Sequence, residues 1–156
     1  MSIQSGDKCP SFSLPNQHGE LITSDELFGK RILVIYFYPK DDTPGCTKEA
    51  CMFRDSYEEF VELGCEVIGI SSDSMASHQK FAKTYNLSFP LLADEKGIVR
   101  KLFGVPGNLF GLIPGRVTYI IDQKGIVREV HNSLLDPAGH LRKALETVQA
   151  LQNEQY

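Results

Sequence analysis

The sequence predicts a mixed α/β fold in which a central sheet carries helices on both faces. Three observations lead to this prediction: a strand-sized apolar run at residues 32–38, helical patterns that alternate with short apolar segments, and a hairpin pattern before the last helix. A strand that is apolar on both faces lies between two layers of structure. Alternating elements followed by a hairpin indicate a mixed sheet rather than a purely parallel one.

The individual elements follow from periodicity and turn residues. Residues 1–30 are rich in turn residues and predict a small N-terminal hairpin, followed by a turn of helix at 25–28. Helices are expected at 44–63, 74–85, 96–103 and from 136 onward, and strands at 32–38, 65–71, 89–93, 116–122 and 126–131. This order suits a thioredoxin-like sandwich, built as one domain over residues 1–156.

Composition excludes several classes of function. The chain has 156 residues, of which 42% are hydrophobic, and its net charge is -4. Mild acidity argues against nucleic-acid binding, which needs clustered cations to replace phosphate counterions. The same charge gives no reason to expect binding to an anionic membrane. A domain of this length needs neither a disulfide nor a metal to stabilise its core.

The sequence also shows neither a membrane-spanning segment nor a signal peptide. The longest apolar run, residues 32–38, is far shorter than the roughly 20 residues that span a bilayer. The first residues lack the charged and apolar regions of a signal peptide. We therefore expect a cytoplasmic protein, or a chloroplast protein if a transit peptide has been removed. In such reducing compartments paired cysteines are more often catalytic or metal-binding than structural.

The stretch from Tyr36 to Cys51 carries the most information about chemistry. A buried strand ends near Pro39, a polar loop follows, and Cys46 falls in the first turn of the next predicted helix. Free N–H groups and partial positive charge at a helix N-terminus favour a thiolate, so we expect Cys46 to be nucleophilic near neutral pH. Lys40 and Lys48 add to this effect, and the neighbouring Asp41 and Asp42 oppose it.

Two roles are open for Thr43, which lies three residues before Cys46. Its hydroxyl can accept one hydrogen bond and donate another, so it can orient a substrate atom beside the sulfur. It can also simply cap the helix, with Pro44 at the first helical position. The two roles are compatible.

Cys51 follows Cys46 by five residues. On an ideal helix their Cα atoms are about 8–9 Å apart, whereas a disulfide needs a Cα separation below about 7 Å. A bond between them therefore requires the first turns of the helix to unwind, and we expect an enzyme that is helical when reduced and locally unfolded when oxidised.

Other interpretations of the pair remain open on the residues alone. Two cysteines in one helix can be buried small hydrophobes. A zinc site needs four ligands at close paired spacing, and no histidine lies near the pair in sequence, so we expect no metal. The spacing is too wide for a C-x-x-C disulfide exchanger. Cys9 and Cys65 stand apart from the pair, and we expect both to be bystanders.

These residues resemble the signature of the peroxiredoxins, Pro-x-x-x-Thr-x-x-Cys, which Pro39, Thr43 and Cys46 match. The run from Thr43 to Cys51 resembles the Q branch, also called bacterioferritin comigratory protein, in which the resolving cysteine often lies five residues after the nucleophile. The similarity extends over nearly the whole chain, and residues 105–115 look most like cyanobacterial and chloroplast members.

The resemblance implies a set of site residues. Cys46 would be the peroxidatic cysteine and Cys51 the resolving cysteine, joined in a disulfide after oxidation, and Pro39 would belong to the catalytic residues. Thr43, Gly45, Cys46 and Arg116 would bind the substrate, because a guanidinium stabilises the thiolate and the charge developing on the peroxide. Glu49 either holds an arginine in place or merely lies on the helix, and Arg54 more readily pairs with a carboxylate.

The resemblance also implies a mechanism and its partners. We expect a monomer without a cofactor that reduces hydrogen peroxide and organic hydroperoxides, with thioredoxin as the dithiol reductant. A redox sensor and a thioredoxin-like disulfide exchanger are the rival functions. The apolar residues 109–113 either line the peroxide pocket, meet the reductant or pack into the core. The four histidines are expected to be structural or solvent-facing, because this chemistry needs no histidine base.

Overall fold

The computed structural model describes residues 2–106 and 115–154, and it confirms the mixed α/β architecture. The central sheet has five strands in the order β5-β4-β3-β6-β7. These are β3 (Ile32–Phe37), β4 (Cys65–Ser71), β5 (Leu91–Ala93), β6 (Val117–Ile121) and β7 (Val127–Asn132). Since β3 runs parallel to β4 and antiparallel to β6, the sheet is mixed. The expected N-terminal hairpin pairs β1 (Ser13–Pro15) with β2 (Leu21–Thr23).

Helices cover both faces of the sheet. They are α1 (Ser24–Leu27), α2 (Pro44–Glu62), α3 (Met75–Tyr85), α4 (Ile98–Phe103) and α5 (Pro137–Glu154). Side chains of α2, α3 and α5 form the core on one face, and those of α1 and α4 pack into the core on the other. Within the described part of the chain, no helix is both long and apolar enough to cross a bilayer.

Strand β3 is the central element because both of its faces are buried. Ile32, Val34 and Tyr36 point into one core, and Leu33, Ile35 and Phe37 point into the other. Side chains alternate along a strand, so a run without polar residues supplies two apolar faces at once. This strand ends beside the loop that leads into α2, and it therefore fixes where that loop begins.

Most element boundaries agree with the sequence, and the exceptions have local causes. Helix α4 begins at Ile98 rather than Lys96, because Gly97 adopts a left-handed φ of 68° that does not continue a helix. Strand β5 begins at Leu91 rather than Phe89, because Pro90 has no N–H to donate to the sheet. The predicted stop of α3 at Asn86 is confirmed, with Asn86 in the left-handed conformation.

A buried polar network anchors the loop between β3 and α2. The Asp41 carboxylate accepts hydrogen bonds from Tyr38 Oη at 2.6 Å and Ser77 Oγ at 2.8 Å. His78 Nδ1 lies 2.7 Å from the same carboxylate, and its Nε2 lies 3.0 Å from the Leu92 carbonyl. Both ring nitrogens lie beside acceptors, so the ring links the Asp41 carboxylate to the Leu92 carbonyl. The expected opposition of Asp41 to a thiolate stays a prediction.

Replacing His78 with Phe should lower the free energy of unfolding by about 1–3 kcal/mol, because the buried Asp41 carboxylate would lose a hydrogen-bond partner. Urea denaturation followed by circular dichroism measures the change. The exposed His18 supplies the matched control, since His18→Phe removes the same ring from a solvent-facing position. Equal stabilities of the two variants would contradict the assignment of the Asp41–His78 contact as an anchor of the loop.

Candidate active site

Cys46 lies in the first turn of α2, as the sequence predicts, and its side chain is only 2% exposed. The first intrahelical bond runs from Thr47 N–H to the Thr43 carbonyl. The preceding N–H groups of Gly45 and Cys46 therefore have no partner within the helix and point toward its N-terminal end. Partial positive charge at this end of the helix surrounds the sulfur.

Arg116 directly precedes β6 and brings a buried cation to Cys46. Its Nη2 donates to Cys46 Sγ at 3.3 Å, and its Nε donates to the Leu134 carbonyl at 3.0 Å. Burial acts to lower the pKa of Arg116, but the Glu49 carboxylate and the Cys46 sulfur together raise it above its ordinary value. A Cβ atom at Gly45 would lie 3.1 Å from Arg116 Nη2, so the glycine leaves room for the guanidinium.

Glu49 holds Arg116 from the other side. Its Oε1 accepts from Arg116 Nη1 at 2.6 Å, which decides between the two roles that the sequence left open for this residue. Burial raises the pKa of Glu49 to about 7, against the lowering effect of Arg116. The second carboxylate oxygen, Oε2, is buried without a hydrogen-bond partner. The ionised carboxylate is therefore held at a cost in stability.

His140 and Thr118 form a layer behind this ion pair that the sequence reasoning missed. His140 Nδ1 lies 3.8 Å from Glu49 Oε2 and 2.7 Å from Thr118 Oγ1, and Nε2 lies 2.6 Å from the Ser133 carbonyl. Burial lowers the pKa of His140 to about 4, so the ring is neutral and donates through Nε2–H. A histidine following the start of a predicted helix was the available signal, but nothing in its spacing linked it to Cys46.

The loop residues of the predicted site lie around Cys46 with different contacts. Thr43 occupies the N-cap position of α2, but its Oγ1 donates to the Lys40 carbonyl at 2.8 Å and makes no side-chain cap. The expected capping by the Thr43 side chain is therefore not observed. Pro39 is half-buried and follows the end of β3, whereas Lys40 and Lys48 are exposed.

Cys51 is half-buried in the third turn of α2, and both Cys46 and Cys51 carry free thiols. The unbroken helix between them keeps the two residues apart. Arg54 pairs with Asp55 at 2.9 Å and donates to the Tyr85 carbonyl at 2.8 Å, so it ties α2 to the end of α3. Arg54 thus has the carboxylate partner that the sequence suggested.

A possible metal-ligand cluster and the two remaining cysteines make no hydrogen bond to Cys46, Glu49 or Arg116. Asp41, Asp73 and His78 offer atoms within 4.8 Å of one another that could ligate a metal ion, but hydrogen bonds within the loop network engage all three.

Burial raises the pKa of Cys9 to about 12, and it raises the pKa of Cys65 as well, so neither thiol ionises near neutral pH. The apolar residues 109–113 fall outside the described residues.

Comparison with known proteins identifies the family of this chain. Residues 5–130 match the family described as AhpC/TSA. The chain belongs to this peroxiredoxin family. A curated relative, "Peroxiredoxin Q, chloroplastic" from Populus jackii, is 48% identical over 149 residues, which are 96% of this chain and 70% of the relative. Relatives at this identity place the chain in the Q branch and show that it is a thiol-dependent peroxidase.

Solved structures share the fold at full length. The peroxidoxin BcpB of Mycobacterium tuberculosis is 40% identical, with a TM-score of 0.88 over 96% of this chain and 98% of that one. The bacterioferritin comigratory protein of Xanthomonas campestris, described for its alkyl peroxide reduction activity, is 31% identical, with a TM-score of 0.81 over 90% of this chain and 92% of that one. The thioredoxin-like fold predicted from the order of elements is therefore confirmed.

Glu49→Gln should change how stability depends on pH. The pKa of Glu49 is raised in the folded state, so the folded protein retains a proton that the unfolded chain has lost, and wild-type stability falls as pH rises from about 4.5 to 7. Glutamine cannot ionise and escapes this loss. Between pH 5 and pH 8 the variant should therefore gain about 2–3 kcal/mol in unfolding free energy relative to wild type.

Urea titrations of both proteins at the two pH values measure this difference, and Glu146→Gln on the surface of α5 serves as the matched control. A constant difference between wild type and Glu49→Gln across the range would show that Glu49 does not titrate as described.

Proposed function

We propose that Cys46 is the peroxidatic cysteine of this thiol-dependent peroxidase. The observation that carries the proposal is the buried Arg116 guanidinium, which donates to Cys46 Sγ at 3.3 Å at the N-terminus of α2. A cation and a helix N-terminus acting on one sulfur favour the thiolate, which is the nucleophilic form. Neither Cys9 nor Cys65 has such surroundings, and burial favours the neutral thiol at both.

The first chemical step is an in-line displacement on the peroxide. The Cys46 thiolate attacks the terminal oxygen of ROOH, an S–O bond forms and the O–O bond breaks. The sulfur is oxidised to a sulfenic acid, and the alkoxide or hydroxide that leaves takes up a proton to become alcohol or water. Negative charge moves from sulfur to the leaving oxygen, so a fixed guanidinium that contacts the sulfur is placed to stabilise the transition state.

The neighbouring loop residues would bind the peroxide. The N–H groups of Gly45 and Cys46 lack partners within α2 and can donate to a peroxide oxygen, as can Arg116. Thr43 Oγ1 now donates to the Lys40 carbonyl, which leaves its lone pairs available to accept the hydrogen of the peroxide. Pro39 would fix the direction in which the loop leaves β3.

Cys51 would resolve the sulfenic acid by forming a disulfide with Cys46 and releasing water. The helical spacing of the two residues, about 8–9 Å between Cα atoms, exceeds the reach of a disulfide. The first three turns of α2 would therefore unwind during each catalytic cycle. An external dithiol would then reduce the disulfide by thiol–disulfide exchange.

The comparisons support the choice of substrates and compartment. The alkyl peroxide activity of the Xanthomonas relative supports organic hydroperoxides alongside hydrogen peroxide. We propose thioredoxin as the reductant on the resemblance to the peroxiredoxins. The chloroplast relatives support the chloroplast alternative over the cytoplasmic one. We further propose one domain over residues 1–156 that works as a monomer, without cofactor, metal or nucleic acid.

Hydroperoxide-dependent NADPH oxidation with thioredoxin and thioredoxin reductase tests this mechanism. Cys46→Ser should abolish turnover. Cys51→Ser should consume one equivalent of peroxide and then stop, because its sulfenic acid has no resolving partner. Cys65→Ser is the matched control and should retain wild-type turnover.

Steady thioredoxin-linked turnover by Cys51→Ser would contradict the resolving role. Amide exchange provides a second readout, because residues 44–52 should exchange faster in the oxidised wild-type protein than in the reduced one. Oxidised Cys51→Ser should not show this increase. Insulin reduction without peroxide would instead favour a disulfide exchanger.

A further inference from the structure

The proposed role of Cys46 raises a question of charge balance. A Cys46 thiolate and an ionised Glu49 are two anions, and both contact the single guanidinium of Arg116. One cation shared by two buried anions leaves one negative charge uncompensated in a region of low dielectric. The helix N-terminus offsets part of it, with the equivalent of about half a unit charge.

A second guanidinium, that of Arg100, lies beside the same site. Arg100 is in α4 on the far side of β3, and its half-buried side chain reaches the end of this strand. Burial lowers the pKa of Arg100, and attraction to Asp94, Tyr119 and Cys46 acts against that change. The guanidinium also lies over the ring of Phe37, 5.6 Å from its centroid.

The hydrogen bonds of Arg100 join the two segments that carry the site. Its Nη2 donates to the Tyr38 carbonyl at 3.1 Å, directly before Pro39, and its Nη1 donates to the Gly115 carbonyl at 3.2 Å, directly before Arg116. One planar fork thus connects the start of the catalytic loop to the start of β6. A lysine at this position could not bridge both carbonyls with the same fixed geometry.

Helix α4 holds Arg100 in this position. The Asp94 carboxylate follows β5 and accepts from the backbone N–H groups of Val99 at 3.1 Å and Arg100 at 2.9 Å. Val99 and Phe103 of the same helix are buried in the core beneath the sheet. The backbone that carries the guanidinium is therefore fixed by both polar and apolar contacts.

We propose that Arg100 is a second positioning residue of the peroxidase site. It clamps the Tyr38 and Gly115 carbonyls together, and its positive charge balances the second anion of the Cys46–Glu49 pair. Arg100 acts on the sulfur through the electric field and through the placement of Arg116, without contact with the reacting atoms. The proposal rests on Cys46 as the nucleophile.

Two substitutions separate the positive charge of Arg100 from its hydrogen bonds to the two carbonyls. Arg100→Gln removes the charge and keeps donor groups, and Arg100→Lys keeps the charge and loses the fork. Arg128, which pairs with Asp122 and Glu154 at the surface, supplies the matched control Arg128→Gln. Thiolate absorbance at 240 nm is titrated in each protein and in its Cys46→Ser counterpart, so that the difference reports Cys46 alone.

The glutamine variant should raise the midpoint of the Cys46 titration by about one pH unit, the effect typical of losing a nearby opposite charge. One pH unit below the wild-type midpoint, its second-order rate constant with hydrogen peroxide should therefore fall about tenfold. The lysine variant should show less than half of the glutamine midpoint shift, and Arg128→Gln should show none. Thermal melting of every variant reports stability separately.

A midpoint in Arg100→Gln equal to that of wild type would overturn the proposal, as would equal shifts in the glutamine and lysine variants. Failure of the underlying nucleophile assignment has a different signature. In that case Cys46→Ser would retain peroxidase activity, and the difference titration would show no thiolate step in wild type either.

Discussion

Two anionic groups contact one buried guanidinium at the N-terminal end of α2. Arg116 donates to Cys46 Sγ at 3.3 Å and to Glu49 Oε1 at 2.6 Å, and all three side chains are almost fully buried. Buried charges persist only when they are paired and hydrogen-bonded, so the surrounding structure must hold the three side chains in fixed relative positions. The pKa of Glu49 is raised because burial outweighs the attraction of Arg116. The raised pKa shows that ionising this buried carboxylate costs free energy.

The topology of the sheet meets this requirement. Strands β3 and β6 are antiparallel neighbours, so the end of β3 and the start of β6 lie at the same edge of the sheet. The loop that leads into α2 begins at the end of β3, and Arg116 directly precedes β6. Helix α2 supplies Cys46 and Glu49 about one helical turn apart. The Asp41–His78 pair anchors the loop on one side, and the Arg100 fork joins both segments on the other. Helices and strands thus hold Cys46, Glu49 and Arg116 in positions that loops alone would not maintain.

Sequence patterns predicted the parts of this arrangement that depend on local chemistry. The apolar run at 32–38 predicted the central strand, and the helix start beside Cys46 followed from Thr43 and Pro44. Contacts between distant segments could not be predicted in this way. Glu49 was left undecided, and His140 and Asp41 were given no partner. The residues that contact them, which are Arg116, Glu49 and His78 respectively, lie more than 20 residues away in sequence. Arg100 lies on a short helix with no motif of its own, and only the fold shows which carbonyls it contacts.

One measurement tests most directly whether the buried Arg116 guanidinium controls the reactivity of the Cys46 sulfur. Reduced wild type, Arg116→Gln and Arg116→Lys each react with one equivalent of hydrogen peroxide. The readout is the rate of sulfenic acid formation at pH 7, with Arg128→Gln as the control. We expect the glutamine variant to react about 10²–10³-fold more slowly, the usual cost of removing one preorganised donor to developing charge. Lysine should recover only part of the rate, because an ammonium lacks the fork that contacts Cys46 and Glu49 together. A wild-type rate in Arg116→Gln, with its fold intact by circular dichroism, would contradict the account.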